Sequence, residues 1–140
     1  MRWENTVLID APADRVWQLT IDVTNWPSFT STMQRVERLD DGPIRVGSSA
    51  RIKQPGQTPA VWTVTRIDTG REFTWQTKRM GVTMTGSHIV EDVGDRCRNT
   101  LTIDITGPMS GLFGIMFGGV LRKSLDTENA SFKSKAQQSA

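Results

Sequence analysis

The sequence is poor in the residues that most often carry metal and disulfide chemistry. It contains one cysteine, Cys97, and one histidine, His88, in 140 residues. A single cysteine excludes a disulfide within the chain, and one cysteine with one histidine cannot form a His/Cys zinc cluster. The neighbouring carboxylates Asp40 and Asp41 fall in a predicted turn rather than on a converging face. We therefore expect no metal site.

Motifs for phosphate binding, export and membrane crossing are missing as well. There is no GxGxxG or Walker-type sequence, so no nucleotide cofactor is expected. The first ten residues contain no apolar core of a secretory signal, which predicts a cytoplasmic protein. No apolar run reaches the about 20 residues that span a bilayer, so stable membrane insertion is not expected. The 17 Lys and Arg are interleaved with 15 Asp and Glu, which argues against a nucleic-acid partner.

What the sequence does contain is a series of predicted strands between two short helical segments and one long helix. Residues 3–9 alternate as a strand, a short helix begins at Pro12, and Asn25-Trp26-Pro27 ends it. From residue 33 to residue 106 the period changes, and a run of strand-like segments, most of them alternating, follows between turn sequences. The short connections favour antiparallel pairing. We therefore predict a single α+β domain over residues 1–140.

This order predicts a curved antiparallel sheet with a long C-terminal helix across its open side. Such an arrangement encloses an apolar space, so we expect a pocket for a hydrophobic small molecule. Its walls are predicted from inward positions of the strands, from aromatic residues after the first helix and from the core-facing stripe of the last helix. The candidates are Trp26, Phe29, Trp62, Trp75, Met84, His88, Phe117, Leu121 and Leu125.

Short segments along nearly the whole chain carry a family resemblance. They are Asp10-Ala11-Pro12, Val16-Trp17, Asn25-Trp26-Pro27-Ser28-Phe29, Val46-Gly47-Ser48, Trp62 with Val64, and His88-Ile89-Val90-Glu91. In order and spacing they resemble the START-like (SRPBCC) superfamily with its helix-grip fold, in the polyketide cyclase/dehydrase branch. The resemblance implies a sheet of about seven strands wrapped around the long C-terminal helix, with a pocket between them for a lipid, a polyketide or an aromatic compound. It does not decide between catalysis and carriage, because the superfamily contains cyclases, lipid carriers and hormone-binding proteins.

Two titratable residues bear on that choice. His88 is in phase with Met84 and Val90 and is predicted to point inward, either as a general base or, as we favour, as a hydrogen-bonded core residue. Glu128 falls in the core-facing sector of the last helix, and a solvated position at the rim is the simpler interpretation. With one clear polar group in the pocket, binding without catalysis is favoured. A cofactor-free cyclase or dehydrase is the alternative, with no catalytic residue assigned.

The first half of the last helix is unusual because residues 112–121 are apolar on two sides. Leu112, Met116 and Val120 form a second stripe. This stripe either covers the pocket mouth, contacts a partner or a membrane surface, or packs under the loop around Trp26, which we favour. The glycines in this region predict close backbone packing or a helix start that moves to admit ligand. A protein-interaction role and a monomer or weak homodimer follow as further hypotheses.

Overall fold

The computed structural model describes residues 1–138 and contains a seven-stranded sheet, two short helical segments and one long helix. The elements are β1 (Arg2–Ile9), α1 (Ala13–Ile21), a 3₁₀ helix (Val23–Ser28), β2 (Arg35–Arg38), β3 (Ser49–Lys53), β4 (Ala60–Asp68), β5 (Glu72–Arg79), β6 (Val82–Asp92), β7 (Cys97–Thr106) and α2 (Ser110–Ala136). This confirms the predicted α+β helix-grip architecture, including its strand number.

The sheet is antiparallel throughout, with the strand order β1-β7-β6-β5-β4-β3-β2. Consecutive strands from β2 to β7 are neighbours because each connection is short, and β1 closes the order by pairing with β7. The register places Trp75 of β5 opposite Gly86 of β6, and Phe73 opposite His88. Because alternate side chains share a face, Phe73, Trp75, Gly86 and His88 all lie on the side of the sheet that faces α2.

A buried amide holds α2 at a fixed rotation against the sheet. The side chain of Asn129 is completely buried. Its Nδ2 donates to Oδ1 of Asn5 at 2.8 Å and to the carbonyl oxygen of Asn99 at 3.0 Å, while its Oδ1 accepts from Nδ2 of Asn99 at 2.9 Å. These bonds join α2 to β1 and β7, and satisfied buried amides specify one arrangement. With Asn129 turned toward β1 and β7, the preceding residue, Glu128, is turned toward the concave face of the central strands.

Two glycines of α2 allow the helix to approach an indole ring closely. A Cβ atom at Gly118 would lie 3.0 Å from Cζ2 of Trp3, and one at Gly114 would lie 3.4 Å from Cη2 of the same ring. The close-packing explanation therefore holds for Gly114 and Gly118. It does not hold for Gly111 and Gly119, which have no neighbouring atoms within 4 Å of such a Cβ.

Two predictions about α2 are wrong. Phe117 is 41% exposed and stacks on Phe113, with 4.7 Å between the ring centroids, so it does not belong to the core-facing stripe. The buried side of the helix is centred on Leu121, Leu125 and Phe132, and at 100° per residue Phe117 lies at the edge of that sector. The second stripe is exposed rather than packed under the Trp26 loop, because the sheet covers only one side of α2.

Candidate functional site

A small cavity lies between the concave face of the central strands and α2. Its volume is about 50 Å³, which is room for a few water molecules. Seven of the nine predicted pocket residues line it: Trp26, Trp62, Trp75, Met84, His88, Leu121 and Leu125. The strands bring Trp62, Trp75, Met84 and His88 together because each occupies an inward position, and α2 covers them with Leu121 and Leu125.

The other two predicted residues lie outside the cavity lining. Phe29 follows the 3₁₀ helix, is half-buried, and packs edge-on against Phe132 with the ring centroids 5.1 Å apart. Phe29 therefore packs against Phe132, which in turn contacts His88. Phe117 lies one helical turn before Leu121, where α2 turns it toward solvent.

An aromatic box surrounds His88. The imidazole centroid lies 5.0 Å from the ring of Trp26, 5.4 Å from Phe132 and 6.0 Å from Phe73. His88 is buried, as predicted, and burial lowers its pKa to about 3. Its Nδ1 has no hydrogen-bond partner within residues 1–138, so the interpretation of His88 as a hydrogen-bonded core residue is wrong for this atom. A neutral imidazole is the form that this apolar box favours.

Trp26 anchors this box to the helical segment before the sheet. Its side chain is completely buried, and its Nε1–H donates to the carbonyl oxygen of Leu19 at 3.0 Å. The bond reaches back to α1 because the 3₁₀ helix turns the chain directly after it, and Pro27 fits this short turn better than it would fit an α-helix. The ring of Trp26 also meets Trp75 edge-on, with 5.4 Å between the centroids. Trp26 therefore contacts both the aromatic wall and His88.

Glu128 is the main site residue that the sequence reasoning placed wrongly. It is only 9% exposed and lines the cavity, rather than lying at a solvated rim. Its Oε1 has no hydrogen-bond partner in the described part of the chain, and burial raises its pKa to about 7. The carboxyl group therefore exchanges between its acid and carboxylate forms near neutral pH. Its spacing from Leu121, Leu125 and Phe132, at seven, three and four residues, was the available signal.

The polar part of the cavity lining is completed by short uncharged side chains and by two glutamines. Gln54 and Gln57 come from the turn between β3 and β4, Ser124 from α2, and Thr102 from β7. Gln54 and Gln57 were not predicted, because turn residues have no periodicity that reveals their direction. Together with His88 and Glu128, they give the cavity several convergent polar groups, which is the property expected of a site that does chemistry.

A glycine makes room at the centre of the wall. Gly86 lies on β6 between Met84 and His88, and a Cβ atom there would be 3.7 Å from both Trp62 and Trp75. A glycine in the middle of a strand weakens it, so its presence marks a place where space or a close approach is needed. Here that space opens into the cavity.

Comparison with known proteins identifies the family. The model of the family described as "Polyketide cyclase / dehydrase and lipid transport" matches residues 2–137. The chain belongs to this family. A relative named as a putative polyketide cyclase, from Streptomyces halstedii, is 34% identical over 77 residues, which are 55% of this chain and 60% of that protein. The matched region thus covers less than two thirds of that relative.

Solved structures share the family's fold. The Zhui aromatase/cyclase from Streptomyces sp. R1128 is similar with a TM-score of 0.80 and 21% identity, over 98% of this chain and 93% of that one. A truncated norcoclaurine synthase from Thalictrum flavum is similar with a TM-score of 0.79 and 14% identity, over 100% and 95% of the two chains. At these identities the likeness concerns the fold. The roles of individual residues of this family member must therefore be argued from its own cavity.

The remaining chemistry of this family member is sparse. Among residues 1–138, no group of three His, Cys, Asp or Glu side chains lies close enough together to hold a metal ion. Cys97 is buried, and burial raises the pKa of its thiol to about 11, so it is held in the unreactive thiol form. Neither helix in that part of the chain combines the length and hydropathy needed to cross a bilayer. The cavity is therefore the site on which a function can be argued.

Proposed function

We propose that this chain binds a hydrophobic, carbonyl-bearing molecule of polyketide type in the cavity and catalyses its cyclisation and dehydration without a cofactor. One observation carries the proposal: Nδ1 of His88 and Oε1 of Glu128 are both buried at the same cavity, and neither has a hydrogen-bond partner in residues 1–138. Leaving a polar group buried and unpaired costs roughly 1–3 kcal/mol. Buried polar groups without a partner are found mostly where they serve a function.

The opposite pKa shifts of the two residues suggest their roles. A carboxyl group with a pKa of about 7 can both take and return a proton at neutral pH, which is the work of a general acid and base. An imidazole with a pKa of about 3 stays neutral, so His88 serves as a hydrogen-bond donor to a carbonyl oxygen that gains negative charge. Two titratable groups that their surroundings shift in opposite directions are typical of acid–base sites.

Glu128 and His88 are sufficient for each proton transfer of the reaction. The Glu128 carboxylate removes a proton from a carbon between two carbonyl groups, and His88 stabilises the enolate oxygen. The enolate carbon then forms a bond to a second carbonyl carbon of the same chain, and the resulting alkoxide takes up a proton to give an alcohol. Loss of a further carbon-bound proton and of the hydroxyl group, as water, leaves a double bond in the new ring. Glu128 carries the protons in both steps.

The aromatic walls supply the geometry for this reaction. Trp62, Trp75 and Trp26 present flat, rigid faces that hold a flexible chain folded, and positioning reactive groups accounts for a large part of many rate accelerations. A cavity of about 50 Å³ is smaller than any such substrate, so binding requires the lining to open. Met33, Gln54 and Gln57 lie in connections between elements rather than in strands, and these are the parts that we expect to move.

Replacing Glu128 with glutamine tests the catalytic part of the proposal. With a synthetic poly-β-ketone thioester as probe, the wild-type protein should form a dehydrated ring at a rate that rises with pH through about 7, because the carboxylate is the base. Glu128→Gln should lower this rate by about a hundred- to ten-thousandfold and remove the pH dependence. Ser124→Ala is the matched control, since Ser124 lines the same cavity from the same helix. Product formation is followed by liquid chromatography and mass spectrometry.

Filling the space beside Gly86 tests the binding part. Gly86→Ala should fold normally and gain roughly 0.5–1 kcal/mol in unfolding free energy, because alanine restricts the unfolded chain more than glycine does. Gly86→Leu should fill the cavity and abolish the binding of Nile red, measured by fluorescence titration. Unchanged Nile red affinity in a folded Gly86→Leu variant would place the ligand elsewhere. If the protein binds Nile red but does not convert the thioester, the catalytic proposal is wrong and the protein only binds its ligand.

A further inference from the structure

The first half of α2 presents an apolar face to solvent. Its most prominent members are Ile115, which is 79% exposed, Met116 at 62%, Val120 at 58% and Leu112 at 54%. Single exposed apolar side chains are ordinary, but a contiguous group of this kind marks an interaction surface. The opposite side of the same helical segment is covered by Trp3 at Gly114 and Gly118. The exposed face therefore belongs to a helix that is held firmly in place.

A second apolar projection lies beside this face. Met80 forms the tip of the β5–β6 hairpin and is 89% exposed, with a φ of +50°. The tip is a two-residue turn, Met80-Gly81, in which Asn or Gly normally occupies the first position because that φ crowds other side chains. The tip touches the start of α2, since the N–H of Met109 donates to the carbonyl oxygen of Gly81 at 3.2 Å. The hairpin tip and the helix face thus form one surface, which we call the apolar rim.

The charges around the apolar rim have one sign. Lys78 and Arg79 precede Met80, and Arg122 and Lys123 follow Val120; all four are exposed. Residues 73–90 and 105–125, which carry the hairpin and the first half of α2, contain no Asp or Glu. The whole chain has a net charge of only +2, so its positive surplus is concentrated here. Lys123 lies on the same side of α2 as Leu112 and Met116, because residues 112, 116, 119 and 123 follow the helical repeat.

We propose that the apolar rim docks on the surface of an anionic lipid bilayer. Isoleucine, methionine, valine and leucine side chains of a firmly held helix enter the boundary between headgroups and acyl chains, while the flanking cations meet the negative headgroups. A second copy of the chain would bring the same four cations against their equivalents, which is unfavourable across a two-fold contact. An uncharged partner would leave the charges of Lys78, Arg122 and Lys123 uncompensated, whereas Arg79 already donates to the carbonyl oxygens of Thr58 and Pro59. The proposal is independent of the catalytic one.

The position of the rim connects docking with the cavity. Phe117 belongs to the exposed helix segment, and Leu121, which lines the cavity, follows it by about one helical turn. Docking would therefore bring the end of the cavity close to the acyl chains, where hydrophobic molecules accumulate. This arrangement would let a hydrophobic ligand enter without crossing water.

Vesicle sedimentation tests the docking. The full chain is mixed with vesicles of phosphatidylcholine alone, and with vesicles of phosphatidylcholine and phosphatidylglycerol in equal parts, at low and at high salt. We expect binding to the anionic vesicles, weakened by salt because screening acts on exposed charges. Arg122→Gln with Lys123→Gln should weaken this binding about fivefold for each cation removed. Met80→Ser with Ile115→Ser should weaken it at both salt concentrations, because apolar burial is not screened.

A matched variant separates docking from a general loss of apolar surface. Val46→Ser with Val93→Ser removes two exposed apolar side chains from the β2–β3 connection and the β6–β7 turn, outside the rim, and it should bind vesicles like the wild type. All these residues are exposed, so the variants should remain folded, and circular dichroism checks this. Absence of sedimentation with anionic vesicles at low salt would overturn the proposal. So would a concentration-dependent dimer, detected by light scattering, that Ile115→Ser converts to a monomer, because a second copy would then cover the rim.

Discussion

Trp26→Ala should destabilise the protein by about 3–5 kcal/mol, the usual cost of removing a large buried aromatic side chain. Trp26 is completely buried and meets Phe73, Trp75, His88 and Phe132 with ring centroids between 5.0 and 6.4 Å apart. Chemical denaturation measures the loss, and a decrease of less than about 1 kcal/mol would contradict the central packing role of this residue.

The same variant should change the titration of His88. Its pKa is held at about 3 by burial inside the aromatic box, and removing one wall admits water. NMR titration of the imidazole should then show the pKa moving up toward its ordinary value of about 6.5. Trp26→Phe is the control, because it keeps an aromatic wall and loses the N–H bond to Leu19. It should cost roughly 1–2 kcal/mol and leave the His88 pKa low.

Much of this fold follows from local patterns in the sequence. Strand periodicity and turn residues predicted the antiparallel sheet, and period-two alternation then placed Trp62, Trp75, Met84 and His88 on one face. These positions need no knowledge of the rest of the chain once the inward face is chosen. The same argument does not work for Phe29, because a residue between elements has no periodicity that sets its direction.

The errors on α2 have a common physical cause. Helical periodicity gives the angular position of a residue, whereas its depth depends on how far the curved sheet extends along the helix. Glu128 was placed at a rim and lies under the sheet, while Phe117 was placed in the core and lies where cover ends. Both were assigned from the same angular sector. Their depth is decided by distant contacts, such as Asn129 with Asn5 and Asn99, which no local pattern reveals.

The pH dependence of stability should reveal Glu128 and His88 as a pair with opposing effects. The pKa of Glu128 rises from 4.5 when unfolded to about 7 when folded, so its contribution to the unfolding free energy is lost as the pH rises through that interval. The pKa of His88 falls from 6.5 to about 3, so its contribution is lost as the pH falls through that interval. Between pH 4.5 and 6.5 the two effects cancel.

Single substitutions should therefore uncover slopes of opposite sign that the wild-type protein hides. In Glu128→Gln only His88 of this pair titrates, and its contribution to the unfolding free energy should rise with pH by up to about 5 kcal/mol between pH 3 and 6.5. In His88→Gln only Glu128 of the pair titrates, and its contribution to the unfolding free energy should fall by up to about 3 kcal/mol between pH 4.5 and 7. Urea denaturation at a series of pH values measures both slopes. Glu4→Gln, at an exposed carboxylate of β1, is the control and should follow the wild type. Parallel curves for all four proteins would mean that neither group is held in its neutral form by burial, and the acid–base assignment would lose its basis.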